Sequence, residues 1–462
     1  MKLSKKTGNR SKDLSKIRNN KWKNKAIARR KELEKLRREN RDLRISRESW
    51  KAKYKSTKTS RKKVSFESGQ KATGHQYSLA LVVLIVELYK YGGMSLRSCR
   101  HSVGCMLVCM GLSSRIPSHT SIRNWLCKCG VYRVKSQANE SGDYVIYVDE
   151  SITFGSEKIL LILGIAKEKM TFVNALTHED VEVLYVGIRK EWKAECIEEM
   201  LNKVSKDKRI LYAVSDEGRN LIKAYKLLNY SHIKDCTHKL ANYIKRLFEK
   251  DKLFESFRKL IGKLRQAWNL SKTKSEYMPP SMRGKLRFAN IFPCVNWAKK
   301  RLSQWDNLPE EIQGSLSFLK ENSDFIQSLI EVEMIFKTVC QKLKKEGFGV
   351  IQKEEILATL AKLEVGQKAG IFMNNCKEYL EELTEQSRTL GYKNLLCTSD
   401  IIESYFGKFK TKINSNNRSG LTEFIFTIAT FGRSFSRQEA KQALETIQCK
   451  QLKSYVNKAR AA

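Results

Sequence analysis

Apolar residues fall into two patterns along this chain. Between residues 142 and 236 they form short continuous runs, and in most other stretches they recur three and four apart. The first pattern predicts buried strands and the second amphipathic helices. Residues 143–149, 159–166 and 210–214 read as strands, 171–175 together with 181–186 as another, and 231–236 as a short last one. Residues 193–204 and the segment GRNLIKAYKLLN after Glu217 read as helices. Three strands, a helix, a strand, a helix and a strand predict a mixed sheet flanked by helices. Asp149 and Asp216 each end an apolar run, and open strand ends are where such sheets place ligands and catalysis. On residue type alone either could equally be a turn or capping group.

The remaining chain reads as helix. Residues 78–89 form one helix, ending at Gly92-Gly93, and two more start near Ser95 and Val103. Ser118 or Thr120 would cap a helix over 118–129, with Ile122, Trp125 and Leu126 as its apolar stripe and Ser121, Arg123, Asn124 and Lys128 facing outward. Residues 237–397 contain no convincing strand. Trp268, Trp297 and Trp305 within them suit core positions better than base-stacking platforms. A helix beginning near Ser399 carries Glu403, and terminal helices follow the SNNRSG segment at 415–420.

At the N-terminus, the first twenty residues have a disordered composition. Helical character begins near Trp22. Leu33, Leu36, Asn40, Leu43, Arg47, Trp50 and Tyr54 then alternate three and four apart, as in a heptad seam. Two readings stay open: a short dimerising coiled coil with a basic outer face, or a single basic helix that folds on DNA.

Charge narrows the function. Lys and Arg number 88 against 49 Asp and Glu, a net of +39. Residues 1–63 hold 26 of the bases and 6 of the acids, so about half of the excess lies there. Such a chain binds a polyanion, nucleic acid before an anionic membrane surface. Its longest apolar run, residues 79–86, is too short to span a bilayer, and no signal core follows the basic N-terminus. The expected location is cytoplasmic, on the nucleoid. The 12 cysteines are expected to be reduced thiols. Cys99, His101, Cys105, Cys109, Cys127 and Cys129 lack zinc-site spacing, and the cysteines among them read as buried free thiols.

Tyr-Val-Asp149, Val-Ser-Asp216-Glu-Gly-Arg-Asn and Ser-Asp-Ile-Ile-Glu403-Ser resemble, in this order, the three signatures of a DDE-type transposase of a bacterial insertion sequence. Asp235-x-x-His238 resembles a motif just past the second Asp in members that carry a helical insertion. Here 187 residues separate Asp216 from Glu403, which fits that type. The segment 118–129 resembles the second helix of a transposase helix-turn-helix, which enters the major groove.

The resemblance implies a multidomain α + α/β protein. Its parts would be a basic helical dimerisation and DNA-binding arm (1–63), a helix-turn-helix domain (64–135), a ribonuclease-H-like catalytic domain in two pieces (136–240 and 397–462) and a helical insertion (241–396). Asp149, Asp216 and Glu403 would hold two Mg²⁺ or Mn²⁺ ions, with Asp149 bridging, and His238 would lie near the scissile phosphate. Ser121, Arg123, Asn124 and Lys128 would contact DNA. The partners would be double-stranded DNA, from element ends and target, and a second copy of the chain, with no membrane. Physical chemistry agrees, because three gathered carboxylates repel unless hard cations neutralise them. Glu150 could replace Asp149, and Asp400-x-x-Glu403 could instead be a capping box. A non-catalytic DNA-binding protein, or a metal-dependent nuclease without a joining step, would share most of these features.

Overall fold

A computed structural model describes residues 26, 29–30, 32–34, 36–51, 64–65, 69–113, 115–150, 154–271, 273–281, 291–413 and 421–461. The expectations for the first twenty residues, for the helix onset near Trp22, for Tyr54 and for residues 415–420 lie outside them. The chain divides into two compact units, one of residues 1–69 and 100–116, the other of residues 70–99 and 117–462. In the smaller unit the described residues from 29 to 51 are helical, and Val64–Ser65 pairs in parallel with Leu112–Ser113. Leu33, Leu36, Leu43 and Trp50 are exposed along that helix.

The larger unit is built on a five-stranded mixed sheet. Its strands are β1 (Gly142–Glu150), β2 (Lys158–Ala166), β3 (Glu182–Arg189), β4 (Lys208–Ser215) and β5 (His232–Lys234), in the spatial order β3-β2-β1-β4-β5. β2 runs antiparallel to β1 and β3, while β1, β4 and β5 are parallel. Parallel neighbours need a crossover, and α4 (Ala194–Ser205) and α5 (Arg219–Leu227) lie in the connections that lead to β4 and β5. Alternation sets the faces. Tyr144, Ile146 and Val148 of β1 join Trp192, Ile197, Met200, Leu201, Leu221 and Tyr225 in one core under α4 and α5. Val145 and Tyr147 take the other face. There Leu396 N donates to Tyr212 Oη at 2.9 Å, so the chain returns across this face after its long helical excursion.

That excursion runs through α6 (Cys236–Phe248), α7 (Lys252–Trp268), α8 (Phe292–Ser303), α9 (Glu310–Glu321), α10 (Ser323–Glu346), α11 (Val350–Leu360) and α12 (Gln367–Leu390). Phe248, Phe254, Phe257 and Phe325 stack edge-on or tilted at its centre. Trp268 and Trp297 are buried, as core tryptophans should be, and Trp305 is half-buried under Lys320. The segment is not wholly without strand, because Phe348–Gly349 pairs with Asn394–Leu395. α13 (Asp400–Lys412) follows, then a 3₁₀ segment (Glu423–Phe431), α14 (Arg437–Thr446) and α15 (Leu452–Ala461).

Several expectations need correction. The third strand is Glu182–Arg189, which keeps most of the expected 181–186 run but excludes 171–175. Residues 167–169 form a 3₁₀ turn and Val173 is 70% exposed, whereas 182–189 are buried along β2. After α1 (Leu79–Tyr91), the helices expected to start near Ser95 and Val103 are a single helix, α2 (Leu96–Cys109), in which a side chain at Gly104 would strike Ile116. Cys105 and Cys109 on it are exposed, not buried, although all described cysteines are free. The capped helix expected over 118–129 is α3 (His119–Ala138), with Ser118 Oγ accepting from Ser121 N at 3.0 Å.

α3 is covered along most of its length. Lys128 therefore does not face outward: it is 6% exposed and its Nζ donates to the Leu444 carbonyl at 2.9 Å. Arg123 pairs with Glu423 at 2.9 Å. Gly130 lies against the 3₁₀ segment, where a Cβ would come within 1.9 Å of the Phe426 carbonyl oxygen. On an exposed helix Gly→Ala stabilises by about 1 kcal/mol. Here the sign should reverse, because the added methyl meets backbone. Gly130→Ala is expected to lower stability by about 1–3 kcal/mol in urea unfolding, and a gain in stability would show that this packing is wrong.

Candidate active site

The sheet register assembles the first two acids. Tyr147 pairs with Val214 across the parallel β1–β4 pair. Two residues further along, the same register sets Asp149 beside Asp216, on neighbouring strands and on the same face as Val145 and Tyr147. Asp149 is half-buried at the end of β1, and Asp216 is the first residue beyond β4. Asp216 Oδ1 accepts from Gly218 N at 2.9 Å, which shapes the turn into α5 and leaves the second oxygen for other work. Glu150 alternates to the opposite face and pairs with Lys158 at 3.0 Å, so the geometry favours Asp149 over Glu150 as the third acid's neighbour.

Glu403 comes from far away in sequence. It sits in the first turn of α13, whose inward side carries Ile401, Ile402, Tyr405, Phe406 and Phe409. The capping-box alternative is not realised. Ser399, the N-cap, makes no side-chain cap bond, and Asp400 instead pairs with Lys344 of α10 at 2.7 Å. The Glu403 side chain is 45% exposed and points to His238, whose Nε2 is 3.5 Å from its Oε1.

His238 is oriented by Asp235, the other half of the Asp-x-x-His motif. Asp235 is the N-cap of α6 and 1% exposed. Its Oδ1 accepts from His238 N at 2.7 Å and from His238 Nδ1 at 3.0 Å. Its Oδ2 accepts from Ser399 N at 2.5 Å and from Ser399 Oγ at 3.0 Å. One buried carboxylate thus fixes the helix bearing His238 and the turn that starts the helix bearing Glu403. Cys236 N donating to the Cys397 carbonyl at 2.9 Å adds a second tie. The visible clue was the Asp-x-x-His spacing, which is also an N-cap spacing. Ser399 carried no such clue.

The electrostatics follow from this geometry. Burial, then the Asp216 and Glu403 charges, push the Asp149 carboxyl up to about 7, against His238 and a backbone N–H that oppose them. Burial also raises Glu403, with His238 opposing. Burial would lower His238, but the Asp235 hydrogen bond and charge, with Glu403 and Asp216, carry it up to about 9. Asp235 is held below the usual carboxylate range, because the hydrogen bonds and charge of His238 and the Ser399 N–H outweigh its burial. The site is therefore a protonated imidazole facing three mutually repelling acids.

That donor set is entirely carboxylate oxygen, which suits Mg²⁺ or Mn²⁺. A cation would relieve the repulsion that raises Asp149. As the side chains stand, no group of three His, Cys, Asp or Glu among the described residues is close enough to enclose an ion. Donor chemistry fits a hard cation, and the acids would have to draw together to hold one. No helix among the described residues is long and apolar enough to cross a membrane. No protein-family model matches this chain, and no curated protein matches it.

The charge crowding makes a prediction for the metal-free protein. The Asp149 carboxyl binds its proton more tightly when folded (about 7) than when unfolded (about 3.9). Stability should therefore fall as pH rises from about 4 to about 7 and level off above. Asp149→Asn removes this penalty. In urea unfolding with EDTA, the variant should match wild type near pH 4 and exceed it at pH 8 by on the order of 1–3 kcal/mol. A difference that does not change with pH would mean that the acids are not crowded.

Proposed function

We propose that this chain is a DNA transposase of the DDE type with a ribonuclease-H-like catalytic domain, binding the ends of its mobile element and catalysing strand cleavage and strand transfer. The observation that carries the reading is a pair of strand-end aspartates, neighbours by register, with a glutamate that returns after a helical excursion to within 3.5 Å of His238 and whose charge is felt at Asp149. The strand order β3-β2-β1-β4-β5 with β2 antiparallel supports the fold assignment. The basic segment 1–63 supports DNA as the partner. Ser121, Arg123 and Asn124 stay in the DNA-binding reading as half-exposed groups in the first turns of α3, the part of such a helix that meets base edges. Lys128 leaves it.

Asp149, Asp216 and Glu403 would hold the divalent ions, which when bound supply Lewis acidity at the scissile phosphate. The chain's own groups do the rest. Asp149, buried beside the other acids, holds a proton more tightly than a free carboxyl. His238, protonated at neutral pH and clamped by Asp235, directs an N–H toward Glu403 and any phosphate oxygen beside it. The attacking oxygen would be water in cleavage and a DNA 3′-hydroxyl in transfer.

The test is cleavage and joining of a labelled fragment carrying the ends of the element that encodes this chain, with Mg²⁺ or Mn²⁺. Asp216→Asn keeps size and hydrogen-bonding capacity and should retain DNA binding while losing at least about a hundredfold in cleavage. Asp149→Asn and Glu403→Gln should behave alike, and pairs should be little worse than singles. Mg²⁺ should also raise the melting temperature of wild type and not of Asp216→Asn. Wild type that binds the ends without cutting is a DNA-binding protein only. Wild type that cuts without joining is a nuclease. Normal cutting by Asp216→Asn would show the triad to be misassigned.

A further inference from the structure

The helix over residues 36–51 and the described residues just before it presents an exposed apolar stripe, with Leu33 at 53%, Leu36 at 52%, Leu43 at 69% and Trp50 at 70% exposure. Leu33, Leu36, Arg37, Asn40, Arg41 and Arg44 line a shallow groove along it. Taking Leu33, Asn40 and Arg47 as the a positions and Leu36, Leu43 and Trp50 as the d positions fixes the flanking ones. Glu32 and Glu39 fall at g, and Arg37, Arg44 and Lys51 at e.

We infer that this helix pairs with a second copy of itself as a parallel, in-register, two-stranded coiled coil. The charges decide the orientation. In a parallel pair each g residue faces the e residue five positions on in the partner. Glu32 then meets Arg37 and Glu39 meets Arg44, on both sides of the seam. In an antiparallel pair g faces g and e faces e, which sets acid against acid and base against base. Lys51 is already paired with Glu48 in its own helix at 2.7 Å and adds nothing to either arrangement. Asn40 meets its own copy across the seam only in register, where two amides can bond to each other. Asn40 gives up some stability for register, and Arg47 is the charged core residue. Its stem can lie along the seam with the guanidinium at the edge. A parallel pair sends both chains on from the same end of the coil. The inference does not rest on the reading of the acidic site, since a monomer could still cut DNA and a dimer could still be inert.

The test uses the full chain in sedimentation equilibrium at low salt. Glu32→Lys with Glu39→Lys leaves no acid at the g and e positions, and Arg37→Glu with Arg44→Glu leaves acid at all of them but Ser46 and Lys51. Each double variant should self-associate about tenfold or more weakly than wild type. Mixing the two should restore association, which also shows that both are folded. Leu33→Cys should form a disulfide-linked dimer under mild oxidation well above the wild-type background, because only a parallel register sets the two residues 33 together. A monomeric wild type, double variants that associate as wild type does, or Leu33→Cys no more cross-linked than wild type would each overturn the inference.

Discussion

The Asp235 carboxylate is the constraint on which the acidic site depends. It is buried, and all its contacts are donors: the His238 backbone and ring, and the Ser399 backbone and hydroxyl. A carboxylate so placed is stable only while those donors are present, because removing one partner of a buried charge leaves an uncompensated ion. The imidazole angle and the entry of α13 are thus set by one group. Two parts of the site 164 residues apart in sequence cannot shift independently.

Around this fixed point the acids are held closer than their charges favour. The register between β1 and β4 is specified by buried faces, where a slip of one residue would turn every side chain over. That register keeps Asp149 buried and beside Asp216, and burial first, then the neighbouring charges, raise its proton affinity. The position of the acids therefore follows from the core packing of Ile146, Val148 and Ala213, residues that touch none of the chemistry.

The parts of this arrangement that were legible in the sequence are those set by local pattern. The strands ending at Asp149 and Asp216 announce themselves as apolar runs, and the Ser118 cap and the helix carrying Glu403 are visible in their flanking residues. What was not legible depended on partners remote in sequence. Lys128 has a polar side chain on a helix with an evident apolar stripe, which ordinarily means solvent. It is buried because α14 and the 3₁₀ segment, some 300 residues later, cover the other side of α3. Likewise, Thr171–Ala175 has strand-like residues but no neighbour to pair with, and Asp400 exchanges a capping role for Lys344 on another helix. Whether three acids, each with an ordinary structural use, belong together is a question of register and return path that spacing alone does not answer.

The two ends of the helical excursion, at Cys236 and Cys397, are joined by a backbone hydrogen bond of 2.9 Å beside the Asp235–Ser399 contacts. To the sheet, the excursion is a loop closed at its neck. The cost of closing such a loop rises only with the logarithm of its length, about 0.6 kcal/mol per doubling. Changes of length away from the neck therefore cost little in closure, whereas the contacts that the excursion returns to the site, such as Lys344 with Asp400 and Gln386 with the His232 carbonyl, have to be kept. The joint acts as a hasp: the excursion can vary in length away from it, while the neck and these returned contacts hold the geometry of the acids.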